Sequence, residues 1–315
     1  MSTLTRRPYR QSADLEAIAH LFNTSSAHDR LERWTSGDRV AQNFRSPDFD
    51  ISRDVALWEN ADGEAIAYAT VWATDEYFEF VVHPDYRDGA IEADVLAWAE
   101  CRMRELSEKT GKPVRLQTSA YTTETQRLAV LEAHGFTPER RFFRMKRSLS
   151  SPIPKPQFPA GFTCRAIAGK TDGKAWVEMF NQSFIDHWNH HDLTVEQFEH
   201  ELDNPNYIPE LNLIAAAPGG TFAGFCCGAI FPEDNRHKSQ PEGWINSLGT
   251  RRGFRRRGVG RALLLETLRR LREAGTDIAL LGVDAENPSG AFRLYQSVGF
   301  DPALTMRIES KCLKS

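Results

Sequence analysis

Apolar residues recur along the chain at helical and at strand-like spacings, and together they predict the same series of elements twice. Each half begins with an amphipathic helix marked by apolar residues: Leu15, Ile18, Ala19 and Phe22 in the first half, and Trp176, Met179 and Phe180 in the second. Five strand-like runs follow in each half: 55–58, 65–73, 77–82, 114–118 and 142–146, then 211–217, 221–231, 244–250, 278–283 and 304–308. A long helix precedes the fourth strand of each half, at 91–109 and at 259–274.

Both halves also place a short helix before the last strand, and both of these helices end at Gly-Phe. The two dipeptides, Gly135-Phe136 and Gly299-Phe300, are separated by close to half the length of the chain. Similar elements in one order at this distance indicate a tandem duplication of an α/β domain. A solenoid would instead repeat at a period of roughly 20 to 50 residues.

A proline-rich segment between the halves marks the expected domain boundary. Its prolines disfavour a helix and favour extended chain: Pro152, Pro154, Pro156 and Pro159. We therefore expect a first domain at 1–147, a linker at 148–160 and a second domain at 161–315.

Composition and charge narrow the class of protein. With 39 Lys and Arg against 43 Asp and Glu, the net charge is −4, which argues against a dedicated nucleic-acid or membrane-surface protein. The first twenty residues lack the apolar core of a signal peptide, and no window approaches the roughly 20 apolar residues that cross a bilayer. The five cysteines show no CxxC spacing, so reduced and packed thiols are expected. These features predict a cytoplasmic protein.

The segment 248–261 carries the strongest chemical signal, because it joins a strand to a long helix through a loop rich in glycine and arginine. Unpaired N–H groups and the helix dipole make such a helix N-terminus an anion site. Gly258 and Gly260 would let a phosphate approach the backbone closely. Six arginines add positive charge: Arg251, Arg252, Arg255, Arg256, Arg257 and Arg261. A solvated basic turn or a nucleic-acid patch would not need this glycine spacing, which favours a pyrophosphate cradle.

Two spaced motifs resemble those of the GNAT (Gcn5-related) N-acetyltransferases. Arg255-Arg-Arg-Gly-Val-Gly260 matches the Arg/Gln-x-x-Gly-x-Gly/Ala signature of that family, and 287–300, with a Tyr four residues before Gly-Phe, is similar to its second motif. The resemblance covers the second half well and the whole chain more loosely. It implies two tandem GNAT-like α/β domains, each a mixed, mainly antiparallel sheet flanked by helices. It also implies acetyl-CoA as the co-substrate.

The same resemblance implies which residues would hold acetyl-CoA. The strand before the loop would bind the pantetheine arm and the acetyl carbonyl through its backbone: Leu248, Gly249 and Thr250. The loop and the first helical turn would hold the pyrophosphate: Arg255, Arg256, Arg257, Gly258, Val259, Gly260 and Arg261.

Two residues of the second motif have a chemical and a structural interpretation. Tyr295 would protonate the departing CoA thiolate, since a phenol stays protonated at neutral pH, and the alternative is a core aromatic. Asn287 would lie beside the CoA arm, or would cap the following helix with Pro288 at its first position.

The first half lacks the features that would hold acetyl-CoA. Alignment of the halves gives three pairs of residues: Ala90 at Gly258, Glu92 at Gly260, and Leu131 at Tyr295. A carboxylate at such a helix N-terminus would repel a phosphate and block its approach to the backbone. We expect a structural, substrate-shaping first domain, and the alternative is a degenerate second CoA site.

An attacking amine needs a proton acceptor near the acetyl carbonyl. Three candidates lie before or at the start of the strand that leads into the loop: Glu233, Asp234 and Glu242. The fourth, His187, follows the first helix of the second half. Glu242 is the acidic residue of that strand and is our candidate base. The resemblance implies a glutamate at the position of Trp244, two residues later on the same face. We expect His187, Trp188 and Asn246 at the acceptor.

A metal site is the other interpretation of the histidines after that helix. His190 and His191 lie close to His187, but adjacent side chains point apart, and a solvated polar turn explains them equally well. No metal is therefore expected.

These features together predict direct transfer of an acetyl group from acetyl-CoA to a primary amine in a ternary complex. No cysteine lies in the matched motifs, which disfavours a covalent acyl-enzyme. A second domain that walls off the cleft favours a small-molecule amine over a protein. The alternatives are a protein N-acetyltransferase, a nucleic-acid binder, and a noncatalytic acyl-CoA-binding regulator, against which the retained Tyr295 argues.

Overall fold

A computed structural model describes residues 5–10, 12–31, 33–45, 49–110, 114–188, 192–204, 206–287 and 290–313. The chain forms two compact units. The first runs to Arg141 and takes in the chain again from Met306, and the second is Phe142–Thr305.

The described residues form twelve strands and ten α-helices. They include every predicted element in the predicted order, together with two strands and four short helices that the sequence analysis did not predict. The elements before the middle of the chain are β1 Thr5–Pro8, α1 Ser12–His28, α2 Gly37–Asn43, α3 Ile51–Asp54, β2 Val55–Glu59, β3 Ala65–Trp72, β4 Tyr77–Val82, α4 Ala90–Thr110, β5 Val114–Tyr121, α5 Thr125–Ala133 and β6 Thr137–Ser148. Those after it are β7 Thr163–Ala166, α6 Gly173–Phe184, α7 Val195–Leu202, β8 Asn212–Ala216, β9 Phe222–Ile230, α8 Pro232–Arg236, β10 Glu242–Thr250, α9 Val259–Glu273, β11 Ile278–Asp284, α10 Ala291–Ser297 and β12 Asp301–Leu313.

Each unit contains a mixed sheet in which one pair of neighbours is parallel. The strand order is β1-β2-β3-β4-β5-β12 in the first unit and β7-β8-β9-β10-β11-β6 in the second. Only β4–β5 and β10–β11 are parallel among these pairs. The predicted fold class, a mainly antiparallel sheet flanked by helices, is confirmed.

The units do not follow the boundaries expected from the sequence. Residues 142–148 of β6 pair with β11 and belong to the second unit, not to a first domain ending at 147. Residues 306–313 of β12 pair with β5 and belong to the first unit. Each sheet is therefore completed by a strand from the other half of the sequence.

The proline-rich segment 148–160 is part of the second unit rather than a separate linker. It forms no helix or strand beyond Ser148, as its prolines predict. Leu149 is fully buried and its N–H donates to the carbonyl of Asp277. Ile153 and Phe158 pack against the hydrophobic core of this unit.

The duplication is visible in one ion pair that occurs in both units. Arg7 on β1 contacts Asp14 on α1 through two guanidinium nitrogens, and Asp14 also accepts from a backbone N–H four residues before it. In the second unit, Arg165 and Asp172 are joined in the same way, again seven positions apart. Each pair fixes the first strand of its unit to the turn that starts the first helix.

Candidate active site

A cleft opens in the second sheet where its two parallel strands separate. β10 pairs with β11 only from Glu242 to Ile245, although β10 runs to Thr250 along β9 and β11 runs to Asp284 along β6. Beyond Ile245 the facing backbone edges have no strand partner among the described residues. Such edges can bind an extended ligand as a further strand would be bound.

A β-bulge lies at the point where this cleft begins. The register between β9 and β10 shifts between Ile245 and Ser247, which leaves Asn246 without an opposite residue. A bulge bends its strand and increases the local twist, which here accompanies the separation from β11. Asn246 is exposed, and Gly282 across the cleft faces open space. The acceptor role predicted for Asn246 thus has an accessible side chain to act through.

The predicted strand residues next to the cleft differ in what their side chains do. Leu248 packs against the core beneath α9. Gly249 allows close packing, because a Cβ there would lie 2.4 Å from Phe225 Cε1. Their backbone groups remain the part that could contact a pantetheine arm.

The N-terminus of α9 faces the end of β10 without a side-chain cap. Its N-cap is Gly258, whose φ of 85° lies in the left-handed region that favours glycine. The first helical hydrogen bond runs from Ala262 to Gly258, so the three N–H groups between them have no acceptor within the helix. A Cβ on Gly260 would lie 3.1 Å from Thr250 Oγ1. Free donors, the helix dipole and a bare backbone together make an anion site. Val259 is a core residue that contributes only its backbone.

Three of the six loop arginines bind protein groups. Arg251 contacts Glu178 and Gln182 on α6. Arg252 and Arg255 both pair with Asp186, just beyond α6, and these two guanidinium groups lower the pKa of Asp186 to about 2.

Arg255 is held by more contacts than its ion pair. Its Nε donates to the carbonyl of Thr250 at 3.1 Å, and Nη2 donates to the carbonyl of Ser183 at 3.0 Å. The guanidinium therefore fixes the loop between β10 and α6. These contacts do not fit the expected role of Arg255 as a pyrophosphate ligand.

The other three arginines are available to an anion. Arg256, Arg257 and Arg261 form no ion pair with any carboxylate within the described ranges. Arg256 has a φ of 63°, and Arg257 lies over the ring of Phe254 at 5.6 Å. Of the six arginine charges that the sequence analysis expected at the anion site, these three are not used in ion pairs of the described residues.

Asp186 was missed by the sequence analysis, but a signal for it exists in the repeat. In the first unit, Arg87 donates to both oxygens of Asp29 and, through Nε, to the carbonyl of Val82. Val82 and Arg87 precede Thr250 and Arg255 by the same number of positions. An Arg–Asp pair retained in both halves points to a shared structural task for this loop.

Tyr295 lies in the core on the α9 side of the cleft. The residue is 7% exposed and its ring meets Phe300 edge-on at 6.1 Å. Burial raises its pKa well above the usual value for a phenol, with a further contribution from Cys226. Cys226 is the β9 residue opposite Leu248. Tyr295 therefore packs in the core, and its role as the acid stays a prediction.

Glu242, our candidate base, lies at the wrong end of the strand. It is the first residue of β10, four positions before Asn246 at the bulge, which corresponds to about 13 Å along an extended strand. Its carboxylate is buried and pairs with Lys238, with Arg144 at 3.9 Å. The expectation that Glu242 takes the proton of the amine is not supported, because the group is distant and already neutralised. Glu233 and Asp234 lie in α8 at the same end.

His187 and Trp188 lie at the carboxyl end of the parallel strands, the end at which the cleft opens. The ring of His187 meets Phe184 edge-on, and its Nδ1 lies 2.8 Å from the carbonyl of Trp188. The ring of Trp188 is 6.1 Å from that of Phe142, which pairs with Asp284 at the end of β11. Both predicted acceptor residues are thus beside the cleft.

No three His, Cys, Asp or Glu side chains converge as metal ligands in the part of the chain that the structure describes. His190 and His191 lie outside the described residues.

Asn287 does not cap the helix that follows it. α10 begins at Ala291 and its N-cap is Gly290, with a φ of 77°. Asn287 belongs to the turn after β11, where its N–H donates to the carbonyl of Asp284. Pro288 lies outside the described residues. The capping interpretation was wrong, because the N-cap position is taken by Gly290, three residues later.

Within the described ranges, no helix is both long and apolar enough to span a membrane.

Comparison with known proteins places this site in a family. A model of the acetyltransferase (GNAT) family matches residues 173–300. A mycothiol acetyltransferase of Thermobispora bispora is 32% identical over 287 residues, which cover 91% of this chain and 92% of the relative. One of Frankia casuarinae is 29% identical, over 94% of this chain and 84% of its own.

Solved structures agree. A GCN5-related N-acetyltransferase from Sphaerobacter thermophilus is 27% identical, with a TM-score of 0.81 over 99% of this chain and 96% of its own. A tandem GNAT protein of clavulanic acid biosynthesis has the same fold, at 14% identity and a TM-score of 0.69 over 99% of both chains. This chain belongs to the GNAT family of acetyltransferases and is an acetyl-CoA-dependent N-acetyltransferase built from two GNAT units.

Proposed function

We propose that the second unit binds acetyl-CoA in the cleft between β10 and β11 and transfers the acetyl group to a primary amine of a small molecule. The observation that carries this proposal is that two stretches of backbone with free hydrogen-bonding groups follow one another. The unpaired edge of β10 beyond Asn246 leads directly to the uncapped N-terminus of α9. Acetyl-CoA has a matching layout: its extended pantetheine arm can pair with a strand edge, and its pyrophosphate can bind at a helix N-terminus.

The pyrophosphate would be held by the N–H groups of the first turn of α9, with Arg256, Arg257 and Arg261 as counter-charges. The pantetheine arm would lie along the backbone of Leu248 to Thr250. This arrangement directs the thioester towards the bulge at Asn246, where the cleft begins.

The amine would attack the acetyl carbonyl directly. As the C–N bond forms, the C–S bond breaks. The amine releases its proton to solvent water, and the CoA thiolate gains one from the protein. Tyr295 is proposed to donate to the sulfur, since its raised pKa keeps the phenol protonated throughout the physiological range.

A covalent acyl-cysteine is disfavoured by the state of the nearest thiols. Burial raises the pKa of Cys227 to about 12 and that of Cys226 higher still. The thiolate is the nucleophilic form, so neither residue supplies one at neutral pH. The proposal therefore keeps amine and acetyl-CoA together in a ternary complex.

The acceptor would bind beside His187, Trp188 and Asn246. The relatives named mycothiol acetyltransferases support a small-molecule amine, and the des-acetyl form of mycothiol is the first acceptor to try. The resemblance implies a glutamate where this chain has Trp244, so a related amine is the second possibility.

A thiol-release assay tests the proposal. Purified protein would be given acetyl-CoA with des-acetyl mycothiol, simple primary amines, or peptides with free N-termini. Release of CoA with a small amine, matched by the mass of the acetylated product, is the expected result. Turnover with peptides only, or acetyl-CoA hydrolysis without an acetylated amine, would contradict the choice of acceptor.

A further inference from the structure

The first unit contains the same separation of parallel strands as the second. β4 and β5 pair at Tyr77 and Gln117, and they diverge beyond this point. The corresponding pair in the second unit is Ile245 and Leu281, the last before its cleft. A counterpart of the acyl-CoA cleft therefore exists in the first sheet.

The positions that line the two clefts can be matched through the buried cores. Ile91 and Val95 on α4 are buried, and so are Val259 and Leu263 on α9. Ile91 precedes Val259, and Val95 precedes Leu263, by the same number of positions as Arg87 precedes Arg255. This constant offset sets Glu92 at the position of Gly260.

The second match runs through the helix that ends at Gly-Phe. Leu131 on α5 and Tyr295 on α10 are both buried in their cores, and each lies four positions before its glycine. The offset between the two Gly-Phe dipeptides sets Arg127 at the position of Ala291. In both matches the first unit has a long charged side chain where the second has almost none.

Arg127 fills the space between the diverging strands. Its Nη1 donates to the carbonyl of Phe80 on β4 at 2.8 Å, and its Nε donates to the carbonyl of Ser119 on β5 at 3.1 Å. The guanidinium also lies 3.8 Å from the centre of the Phe80 ring. The counterparts of Phe80 and Ser119 are Leu248 and Val283, which lie on either side of the open cleft of the second unit.

Glu92 occupies the other end of this cleft. Only 5% of the residue is exposed, and its Oε2 accepts the backbone N–H of Gly89 at 3.0 Å at the start of α4. A carboxylate so placed satisfies the donor and the dipole that would otherwise attract a phosphate.

We infer that the first unit is a closed acyl-CoA site, in which Arg127 takes the place of the pantetheine arm and Glu92 that of the pyrophosphate. The inference rests on the proposed function of the second unit. It explains why the first unit should not bind acetyl-CoA: the cleft is present, but the protein's own side chains use its hydrogen-bonding groups. A ligand would have to displace both, so the chain should bind one acetyl-CoA.

Transferring the closing side chain to the second unit tests the role of Arg127. We expect Ala291→Arg to weaken acetyl-CoA binding by at least about tenfold in calorimetry, because its guanidinium would compete for the same carbonyls. Ala291→Met is the matched control, since it adds length without charge, and it should bind more tightly than Ala291→Arg. Equal affinities for Ala291→Arg and the unaltered protein would overturn the inference.

The reverse experiment reopens the first unit. In a Gly260→Glu background that no longer binds acetyl-CoA, Glu92→Gly with Arg127→Ala should restore binding at least about tenfold above the background. A variant that melts cooperatively but binds nothing would overturn the assignment of these two residues.

Hydrogen exchange of the unaltered protein provides a measurement that needs no variant. Acetyl-CoA should protect amides in 246–262 and leave those in 78–93 unchanged. Protection in both ranges would overturn the inference and leave the proposed function intact. Protection in neither, with no heat of binding, would overturn the proposed function itself.

Discussion

The two units share their scaffolding contacts and differ at the residues that face the cleft. Arg87 and Asp29 join the loop after β4 to the end of α1 in the first unit, as Arg255 and Asp186 join the loop after β10 to the end of α6 in the second. The positions at the cleft, by contrast, carry different residues in the first and second units: Phe78 and Asn246, Glu92 and Gly260, Arg127 and Ala291, and Leu131 and Tyr295.

This difference separates what the fold needs from what the chemistry needs. A contact kept in a unit that has Leu131 at the position of Tyr295 is explained by the architecture of the loop. Arg255 therefore anchors the loop, although it begins the motif that carries the family resemblance. Two of the residues specific to the second unit, Gly260 and Ala291, are small and leave backbone uncovered.

The largest effect is expected from removing the bare backbone of the second unit. Gly260→Glu should reduce acetyl-CoA affinity by about 100-fold or more, because a carboxylate would meet the pyrophosphate at the α9 N-terminus. Calorimetric titration measures this change. Gly253→Ala in the same loop is the control, since a Cβ there meets nothing within 4 Å. Comparable losses in both variants would mean that the loop tolerates no substitution for reasons of folding.

Tyr295→Phe should make the active unit resemble the inactive one in chemistry but not in binding. Loss of the donor should lower kcat by about 100-fold, within the range for general acids, and leave acetyl-CoA affinity nearly unchanged. Steady-state kinetics and calorimetry would separate the two quantities. An equal loss of both would identify Tyr295 as a packing residue only.

The pH profile of kcat offers a check on the same residue. Because burial raises the pKa of Tyr295, the protonated phenol should persist as pH rises through 10, where an ordinary tyrosine loses its proton. A fall in kcat near pH 10 that disappears in Tyr295→Phe would contradict the burial of this hydroxyl.

A smaller effect is expected from loosening the loop anchor. Asp186→Asn should raise the KM for acetyl-CoA by about two- to fivefold, the size expected for an exposed ion pair, with little change in kcat. Asp29→Asn, its counterpart in the first unit, should leave that KM unchanged. A pKa near 2 also means that Asp186 stays ionised as pH falls from 8 to 5, so this contribution should be constant there. Equal effects of both substitutions would remove the distinction between the units.

The smallest effect on activity is expected at the residue that the sequence favours as the base. Glu242→Gln should leave kcat within about twofold of the unaltered enzyme, since a general base must lie within hydrogen-bond reach of the proton that it removes. Its Tm should fall, because Lys238 and Arg144 would lose their buried partner. A large drop in kcat at unchanged Tm would restore Glu242 as a catalytic residue.

The order and nature of the elements could be predicted from the sequence, because hydrophobic spacing is a local property. The loop at 251–258 was predictable for the same reason: a glycine that needs a positive φ and a basic run are readable from neighbours. The exchange of β6 and β12, each of which completes the other unit's sheet, was not predictable. An alternating pattern identifies a strand but carries no information about which strand it pairs with.

The errors at single residues have a similar origin. The motif predicts Arg255 as a phosphate ligand, but its partner, Asp186, is far away in the sequence and could not be seen from the loop. The pair Asn287-Pro288 suits the start of a helix, but the N-cap of α10 is Gly290. Strand alternation favours Glu242, but it gives the face of a sheet and not the distance to the reacting atoms.

The central claim is that this duplicated chain has one working acetyl-CoA site, in its second unit. Calorimetric titration of acetyl-CoA into the unaltered protein and into Gly260→Glu tests it most directly. The account predicts one site per chain and no measurable binding in the variant. Two sites per chain, or one site that survives in Gly260→Glu, would contradict it.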